Sequence, residues 1–262
     1  MSESLTPVYH SIDQEFSAES AATRRQLVTG AAATIGGMGL LGVIPGIASA
    51  KHSTNPQTLL NIAATAEVLA TIVNTVGAER VGLDAQTKRN VEAAAREELI
   101  HYQVLTSNDF GGKAVTKKIW VPNAVFASKD GFLKTLVAGD QIFVNAYLIG
   151  VTTFANDGNG NLARIAAEFM GVEAVHRALA LQSLGELGND RVFMRYSQPE
   201  ENKVDLFAGT PGFRRIQSAV TLLKKAGFGF GEQGATPGAF YEFDEVSKRT
   251  PNPGDLNTRA PR

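Results

Sequence analysis

Apolar side chains recur every three to four residues through four long stretches of the chain, and polar or glycine-rich segments separate these stretches. This is the spacing of α-helices that bury one face. Helix start signals precede the stretches, namely Asn55 followed by Pro56, then Asp84, then Ser128 or Asp130. The four predicted helices cover residues 56–76, 85–107, 132–154 and 162–187.

The connection between the second and third predicted helices is much longer than the other two. Residues 108–129 break the helical pattern and leave room for a short strand or two. A short loop would make these helices antiparallel neighbours, whereas about 20 residues allow the chain to cross the full length of a bundle. The sequence therefore predicts an all-α fold, a four-helix bundle with a long crossover between helices 2 and 3.

The chain changes character after Gly188. Residues 190–209 are irregular, and we expect a shorter helix that begins at Thr210–Pro211 and ends near Ala226. From Ser247 the chain is polar and rich in proline, which is typical of a disordered tail. The predicted divisions are a targeting segment (1–50), the bundle (51–188), an extension with one helix (189–246) and the tail (247–262).

The N-terminal segment has the organisation of a targeting signal. Arg24 and Arg25 precede a run without charge from Gln26 to Ala50, which ends in small residues that fit a cleavage site. The segment resembles a twin-arginine signal peptide, so we expect export to the periplasm or the extracellular space. The alternative is an uncleaved membrane anchor, because about 20 apolar residues span a bilayer. After cleavage we expect no stable membrane span.

Composition and charge limit the chemistry. The chain has 262 residues, an apolar content of 44% and a formal net charge of -1, so we expect a sizeable core and no nucleic-acid partner. The sequence contains no cysteine. Any metal site must therefore use histidine and carboxylate ligands, which suit iron or manganese well.

Two Glu-x-x-His pairs, Glu98 with His101 and Glu173 with His176, lie within predicted helices. A spacing of three residues places both side chains of a pair on one helix face about one turn apart. Each pair follows an acid on an otherwise apolar stripe, since Glu67 lies 31 residues before Glu98 and Asp140 lies 33 residues before Glu173. The sequence thus contains a twofold internal repeat of an acid followed by Glu-x-x-His.

Two assignments within the repeat have alternatives. Glu67 could instead sit at the edge of its stripe in solvent. Glu97 lies four residues before His101 and could share its face. We prefer Glu98 because only Glu98 reproduces the spacing of the second pair, and we expect Glu97 to point outward or to contact a ligand from outside.

A carboxylate from each of two helices and a Glu-x-x-His pair from each of the other two form the ligand set of ferritin-like di-iron and di-manganese proteins. Over about Pro56 to Leu187 the chain resembles that superfamily, in particular the exported ferritin-like domain proteins grouped with desiccation-related proteins. The acid seven residues before Tyr147 also resembles that group, although Asp140 stands where glutamate is usual.

The resemblance implies roles for individual residues. One metal ion would be held by Glu67, Glu98 and His101, and the other by Asp140, Glu173 and His176, with Glu98 and Glu173 bridging. Tyr102 and Tyr147 would be catalytic as redox partners, or would pack as core aromatics. Because aspartate is one methylene shorter than glutamate, Asp140 either bridges from a closer helix, binds one ion only or acts through water.

The resemblance also implies a function. We expect an exported protein with two iron or two manganese ions that reacts with dioxygen or hydrogen peroxide in stress protection, and that can form a homo-oligomer. The alternative is a non-enzymatic protein of the same fold that acts structurally or by association in desiccation or envelope protection, with its metal structural or absent.

Overall fold

The computed structural model describes residues 55–189, 194–195, 210–213 and 215–252. The predicted targeting segment 1–50 and the tail beyond Asn252 lie outside the described residues. Export and cleavage therefore remain predictions.

Four long helices form the bundle that the sequence predicts. Each begins at a residue whose side chain accepts a hydrogen bond from a backbone N–H of the first turn, which stabilises the helix start. These capping residues are Asn55, Asp84, Ser128 and Asn159. The helices are α1 (Pro56–Arg80), α2 (Ala85–Leu105), α3 (Lys129–Asn156) and α4 (Gly160–Ser183).

The predicted crossover runs along the whole bundle. At its start, the backbone N–H of Lys113 donates to Asn61 near the beginning of α1. At its end, Lys129 lies 2.7 Å from the carboxylate of Asp84 in the turn between α1 and α2. Because these contacts lie at opposite ends of α1, the crossover carries the chain from one end of the bundle to the other.

A small antiparallel sheet covers one side of the helices. Strand β1 (Lys118–Pro122) lies in the crossover and pairs with β4 (Gly229–Phe230) and β5 (Gly238–Glu242). The glycine-rich segment between β4 and β5 is a tight turn, since a Cβ atom on Gly234 would lie 2.0 Å from the backbone oxygen of Gly227. The sequence allowed a strand in the crossover but did not predict its partners.

The C-terminal extension differs from the prediction at its start. Thr210–Pro211 form β3, which pairs in parallel with β2 (Met194–Arg195), and the helix α5 begins only at Ile216 (Ile216–Lys225). The side chain of the buried Asn145 on α3 donates to the carbonyl of Phe213 and accepts from its N–H, both at 2.6 Å. These bonds hold the chain before α5 in a non-helical conformation against the bundle.

The chain also continues past Ser247 in an ordered form. The short helix α6 (Phe243–Val246) leads into a 3₁₀ helix, Ser247–Arg249. Arg249 lies 2.7 Å from Glu79, and Thr250 shares a hydrogen bond with Thr75, both on α1. Residues 247–252 therefore differ from the predicted disordered tail, because these contacts fix them on α1.

The sheet and the C-terminal extension pack on the bundle and help to bury most of α1. By length and composition α1 and α3 could cross a membrane, yet 89% and 67% of their most apolar windows are buried inside the protein. Such burial is what core helices of a bundle show. Glu67 on α1 and Asp140 on α3 are consequently buried in the interior of the bundle.

Candidate metal centre

The interior of the bundle contains a compact cluster of four side chains from three helices. Ligand atoms of Glu67 (α1), Glu98 and His101 (α2) and Glu173 (α4) all lie within 4.8 Å of one another. The three glutamates are fully buried. His101 Nδ1 lies 3.7 Å from Glu67, 3.5 Å from Glu98 and 3.6 Å from Glu173. One imidazole nitrogen thus faces three carboxylates.

The second histidine lies on the other side of the same two glutamates. His176 Nδ1 is 3.1 Å from Glu98 Oε1 and 3.8 Å from Glu173 Oε2. The remaining oxygens, Glu98 Oε2 and Glu173 Oε1, are the atoms that approach His101. Each of these glutamates therefore directs one oxygen toward each histidine. This arrangement requires α2 and α4 to run antiparallel in one fixed register.

Glu97 contacts the cluster from outside. Its Oε2 atom lies 2.7 Å from His176 Nε2, and its side chain is 37% exposed. The hydrogen bond lowers the pKa of Glu97 against the opposing effect of burial. Because Glu97 occupies one ring nitrogen of His176, the other ring nitrogen is directed at Glu98. Glu97 thus orients His176, and Glu98 faces the interior.

Asp140 is buried near the cluster but outside its compact group of four. Its exposed fraction is 6%, and its Oδ2 atom has no hydrogen-bond partner among the described residues. Burial raises the pKa of Asp140 well above its ordinary value, the charges of Glu173 and Glu98 raise it further, and His176 and Arg177 oppose the rise. Asp140 therefore lies on the His176 side of the site.

The two predicted tyrosines have different surroundings. Tyr147 is buried and its hydroxyl donates a short hydrogen bond to Glu67 Oε1. Tyr102 is half-buried, and its ring packs against Phe243 at 4.5 Å and lies 5.9 Å from the ammonium group of Lys117. The structure thus brings Tyr147 to the cluster, whereas the side-chain contacts described for Tyr102 are with Lys117 in the crossover and Phe243 in the C-terminal extension.

Phe169 is a site residue that sequence reasoning did not identify as functional. Its ring stacks on His101 with a centroid distance of 3.8 Å and meets the edge of Tyr147 at 5.7 Å. Phe169 lies four residues before Glu173 on the same helix face, and this spacing was the available signal. The ring fixes the plane of the imidazole and keeps water from that side of the cluster.

The polar atoms of the cluster fit a bound cation. Burying acceptors without partners is costly, and native proteins rarely do so. A cation would satisfy the unpartnered atoms of this cluster, and oxygen and imidazole ligands without thiolate suit iron and manganese. The buried atoms without a hydrogen-bond partner in the described part of the chain include Glu67 Oε2, Glu98 Oε2, His101 Nδ1, Asp140 Oδ2 and both carboxylate oxygens of Glu173.

Protons compensate part of this charge when no cation is present. Burial, reinforced by the charge of Glu98, raises the pKa of Glu67 from 4.5 to about 7, although His101 opposes the rise. Burial alone would lower the pKa of His101, but the neighbouring carboxylates of Glu67, Glu173 and Glu98 raise it well above 6.5. For His176 the neighbouring carboxylates of Glu173, Glu97 and Glu98 likewise raise the pKa against the effect of burial. A metal ion must therefore displace protons.

Fold and site together define a class, four-helix-bundle proteins with a buried carboxylate and histidine cluster that could bind metal. A family model described as a ferritin-like domain matches residues 56–186, which is half of the chain. The chain belongs to this family. Searches of curated proteins and of solved structures each found no match.

The first prediction concerns the two tyrosines. Changing Tyr147→Phe removes the donor that holds Glu67, so metal affinity should fall by about 10- to 100-fold. The matched change Tyr102→Phe removes a hydroxyl one residue beyond His101 and should leave affinity close to that of the unchanged protein. Titration with Mn²⁺ by calorimetry measures both. Equal losses in the two variants would show that Tyr147 has no particular role in positioning Glu67.

The second prediction concerns pH. A carboxyl or imidazole whose pKa is raised by folding stabilises the protein at low pH, and the stabilisation is lost as pH rises through the folded-state pKa. Folding raises the pKa of Glu67 from 4.5 to about 7, and it raises the pKa values of His101 and His176 well above 6.5. Urea unfolding of the metal-free protein should therefore show stability falling from about pH 5 to about pH 8.

The variant Glu67→Gln serves as the control for this pH dependence, because glutamine keeps an acceptor for Tyr147 but does not titrate. Its stability should fall less steeply over the same range. A stability that rises with pH in the metal-free protein would contradict the assigned direction of these pKa shifts.

Proposed function

We propose that the cluster binds two ions of iron or manganese. The observation that carries the proposal is the placement of Glu98 and Glu173 between the two histidines, with one oxygen of each directed to each imidazole. A carboxylate in this position is suited to bridge two cations. One ion would be held by Glu67, Glu98 and His101, and the other by Asp140, Glu173 and His176.

We further propose that the protein is an oxidoreductase that reduces dioxygen or hydrogen peroxide. The pair of metal ions, when bound, would supply the electrons for this reduction. Support comes from the donor set, because carboxylates and imidazoles without thiolates favour redox-active iron and manganese. The water-poor interior strengthens electrostatic interactions at the cluster and restricts side reactions.

The residues around the cluster have separate tasks in this proposal. Tyr147 holds Glu67 through its hydroxyl, and Glu97 orients His176 through the far ring nitrogen. Phe169 covers the ring of His101. These neighbours fix the ligands before an ion arrives, which lowers the reorganisation that binding would otherwise require.

The second candidate is a non-enzymatic ferritin-fold protein that acts structurally or by association in desiccation or envelope protection. The complete burial of Glu67, Glu98 and Glu173 favours this candidate, because structural metal sites are closed. The two candidates differ in whether the ions react with small oxidants.

The place of action is also proposed, as outside the cytoplasm. Support comes from the sequence alone, where Arg24 and Arg25 precede the uncharged run to Ala50. A role in stress protection there would use the same chemistry, removal of peroxide or dioxygen near the cell envelope.

The third prediction tests metal binding and reactivity. Protein purified without chelator should contain about two equivalents of iron or manganese, and the double variant His101→Ala with His176→Ala should lose them while circular dichroism remains helical. Glu92→Gln, a half-buried acid on α2 outside the cluster, is the control and should keep the metal. Elemental analysis measures content, and an oxygen or peroxide electrode measures consumption.

The outcomes separate the candidates. Metal-dependent consumption of oxidant supports the oxidoreductase, and stoichiometric metal without consumption supports the structural alternative. A folded protein that takes up neither iron nor manganese would contradict the di-metal site and the oxidoreductase, and would leave the non-enzymatic protein without metal.

The fourth prediction tests export. Changing Arg24→Lys together with Arg25→Lys should leave the chain in the cytoplasmic fraction of cells that export the unchanged chain, because lysine replaces both members of the arginine pair. Arg164→Lys, an exposed position in α4, is the control and should be exported normally. Unchanged export of the double variant would contradict a twin-arginine signal.

A further inference from the structure

The internal twofold repeat extends beyond the predicted ligands. Seven residues separate Glu67 from Asn74 on α1, and seven separate Asp140 from Tyr147 on α3. Tyr147 meets Glu67, and Asn74 and Asp140 border the same two cavities. The earlier residue on α1 lies near the later residue on α3, and the later residue on α1 lies near the earlier one on α3, so the two helices run antiparallel. Asn74 therefore occupies, beside Asp140, the position that Tyr147 occupies beside Glu67.

The two halves of the repeat differ at this position. The Tyr147 hydroxyl satisfies Glu67, whereas the Asn74 side chain donates to the carbonyl of Ala70 at 3.1 Å. Asn74 Oδ1 and Asp140 Oδ2 are buried acceptors without a hydrogen-bond partner among the described residues. Their side chains are 3% and 6% exposed. Two such acceptors call for a cation or a donor between the helices.

A cavity leads from these acceptors to the end of the bundle. All four bundle helices line it. Its inner end is formed by Asp140 and His176, and its outer end by Thr87, Asn90 and Ser183, where α2 begins and α4 ends. Asn90 and Ser183 are only half-buried, so the cavity reaches the surface. We call it the axial cavity.

The polar lining distinguishes the axial cavity from the larger crevice beside α5. The lining of that crevice is almost entirely apolar. Tyr147 is its contact with the cluster, and Tyr147 is already bonded to Glu67. Apolar walls of this kind offer no ligand atoms to a hydrated ion. The axial cavity, in contrast, offers Asn90, Asn74 and Asp140 in succession.

The inner end of the axial cavity meets groups that can exchange protons for a cation. Among the described residues four carboxylates are buried, at Glu67, Glu98, Asp140 and Glu173, and the permanently charged cation buried with them is Arg177. Once these groups and the histidines release their protons, the site carries an excess of negative charge, which favours the association of a cation. Asp140 and His176 stand where the axial cavity meets this charge.

We propose that Asn74 and Asp140 form an uptake site for a hydrated divalent cation at the inner end of the axial cavity, from which the ion passes to the His176 side of the cluster. The proposal rests on the proposed metal function. It also gives a reason for aspartate at position 140, because the shorter side chain leaves room for an ion that still carries water.

The test follows Co²⁺ binding to the metal-free full chain by stopped-flow absorbance, with the amount bound at equilibrium measured separately. Asn74→Leu removes the acceptor and fills the space, so association should slow by about tenfold or more while the final stoichiometry stays that of the unchanged protein. Asn74→Asp keeps an oxygen acceptor and should load at least as fast as the unchanged protein. Thr75→Val is the matched control, since Thr75 is buried on α1 and bonded to Thr250.

A second readout guards against a general packing effect. Asn74→Leu replaces a buried acceptor that has no partner, so the thermal unfolding midpoint of the metal-free variant should equal or exceed that of the unchanged protein. The proposal is overturned if Asn74→Leu loads at the unchanged rate, if Thr75→Val slows loading equally, or if Asn74→Leu binds fewer ions at equilibrium. In each case two equivalents bound by the unchanged protein would leave the proposed function intact. No binding by the unchanged protein would overturn both.

Discussion

Four carboxylates buried in the interior of one bundle are the constraint on which the rest of this structure depends. Glu67, Glu98, Asp140 and Glu173 are withdrawn from water, and an ionised carboxylate in such a place is very costly unless it is paired or bound to a cation. Tyr147, the two histidines and protons satisfy part of this demand. The atoms that stay without partners converge in a space that a metal ion suits. The carboxylates thus make sense as ligands and not as ordinary core residues.

The fold meets this constraint by fixing two antiparallel helix pairs in register. Helices α2 and α4 place Glu98 and Glu173 between His101 and His176, while α1 and α3 place Tyr147 against Glu67. The crossover allows this order, because it returns the chain to the end of the bundle where α2 begins. The sheet and α5 then cover α1, and Glu67 on that helix is fully buried.

The bundle and most of the cluster could be predicted because both depend on local spacing. Helix caps such as Asn55 and Asp84 are encoded in a few adjacent residues, and the Glu-x-x-His pairs fix one helix face. The different surroundings of Tyr102 and Tyr147 depend on how α1, α3 and the C-terminal layer are rotated and aligned, which spacing within one helix does not determine. The same holds for Asp140, whose place outside the group of four is set by the packing of α3.

The sheet could not be predicted for a related reason. Strand β1 pairs with residues more than 100 positions further along the chain, and the cost of closing so long a loop is met only by the packing of the finished fold. Likewise, the non-helical conformation of the chain just before α5 is held by hydrogen bonds to the side chain of Asn145, which lies far away in the sequence. The repeat of Glu67 with Asn74 and Asp140 with Tyr147 was present in the sequence, but its meaning required the antiparallel register.

Anomalous diffraction from crystals of the manganese-loaded protein can locate the two ions proposed between His101 and His176. We expect two peaks in the bundle interior, one beside each histidine, at the separation of about 3.5–4 Å found in two-metal sites. Glu98 and Glu173 should contact both. An interior without a peak, or a single ion bound by both histidines, would overturn the proposed di-metal centre.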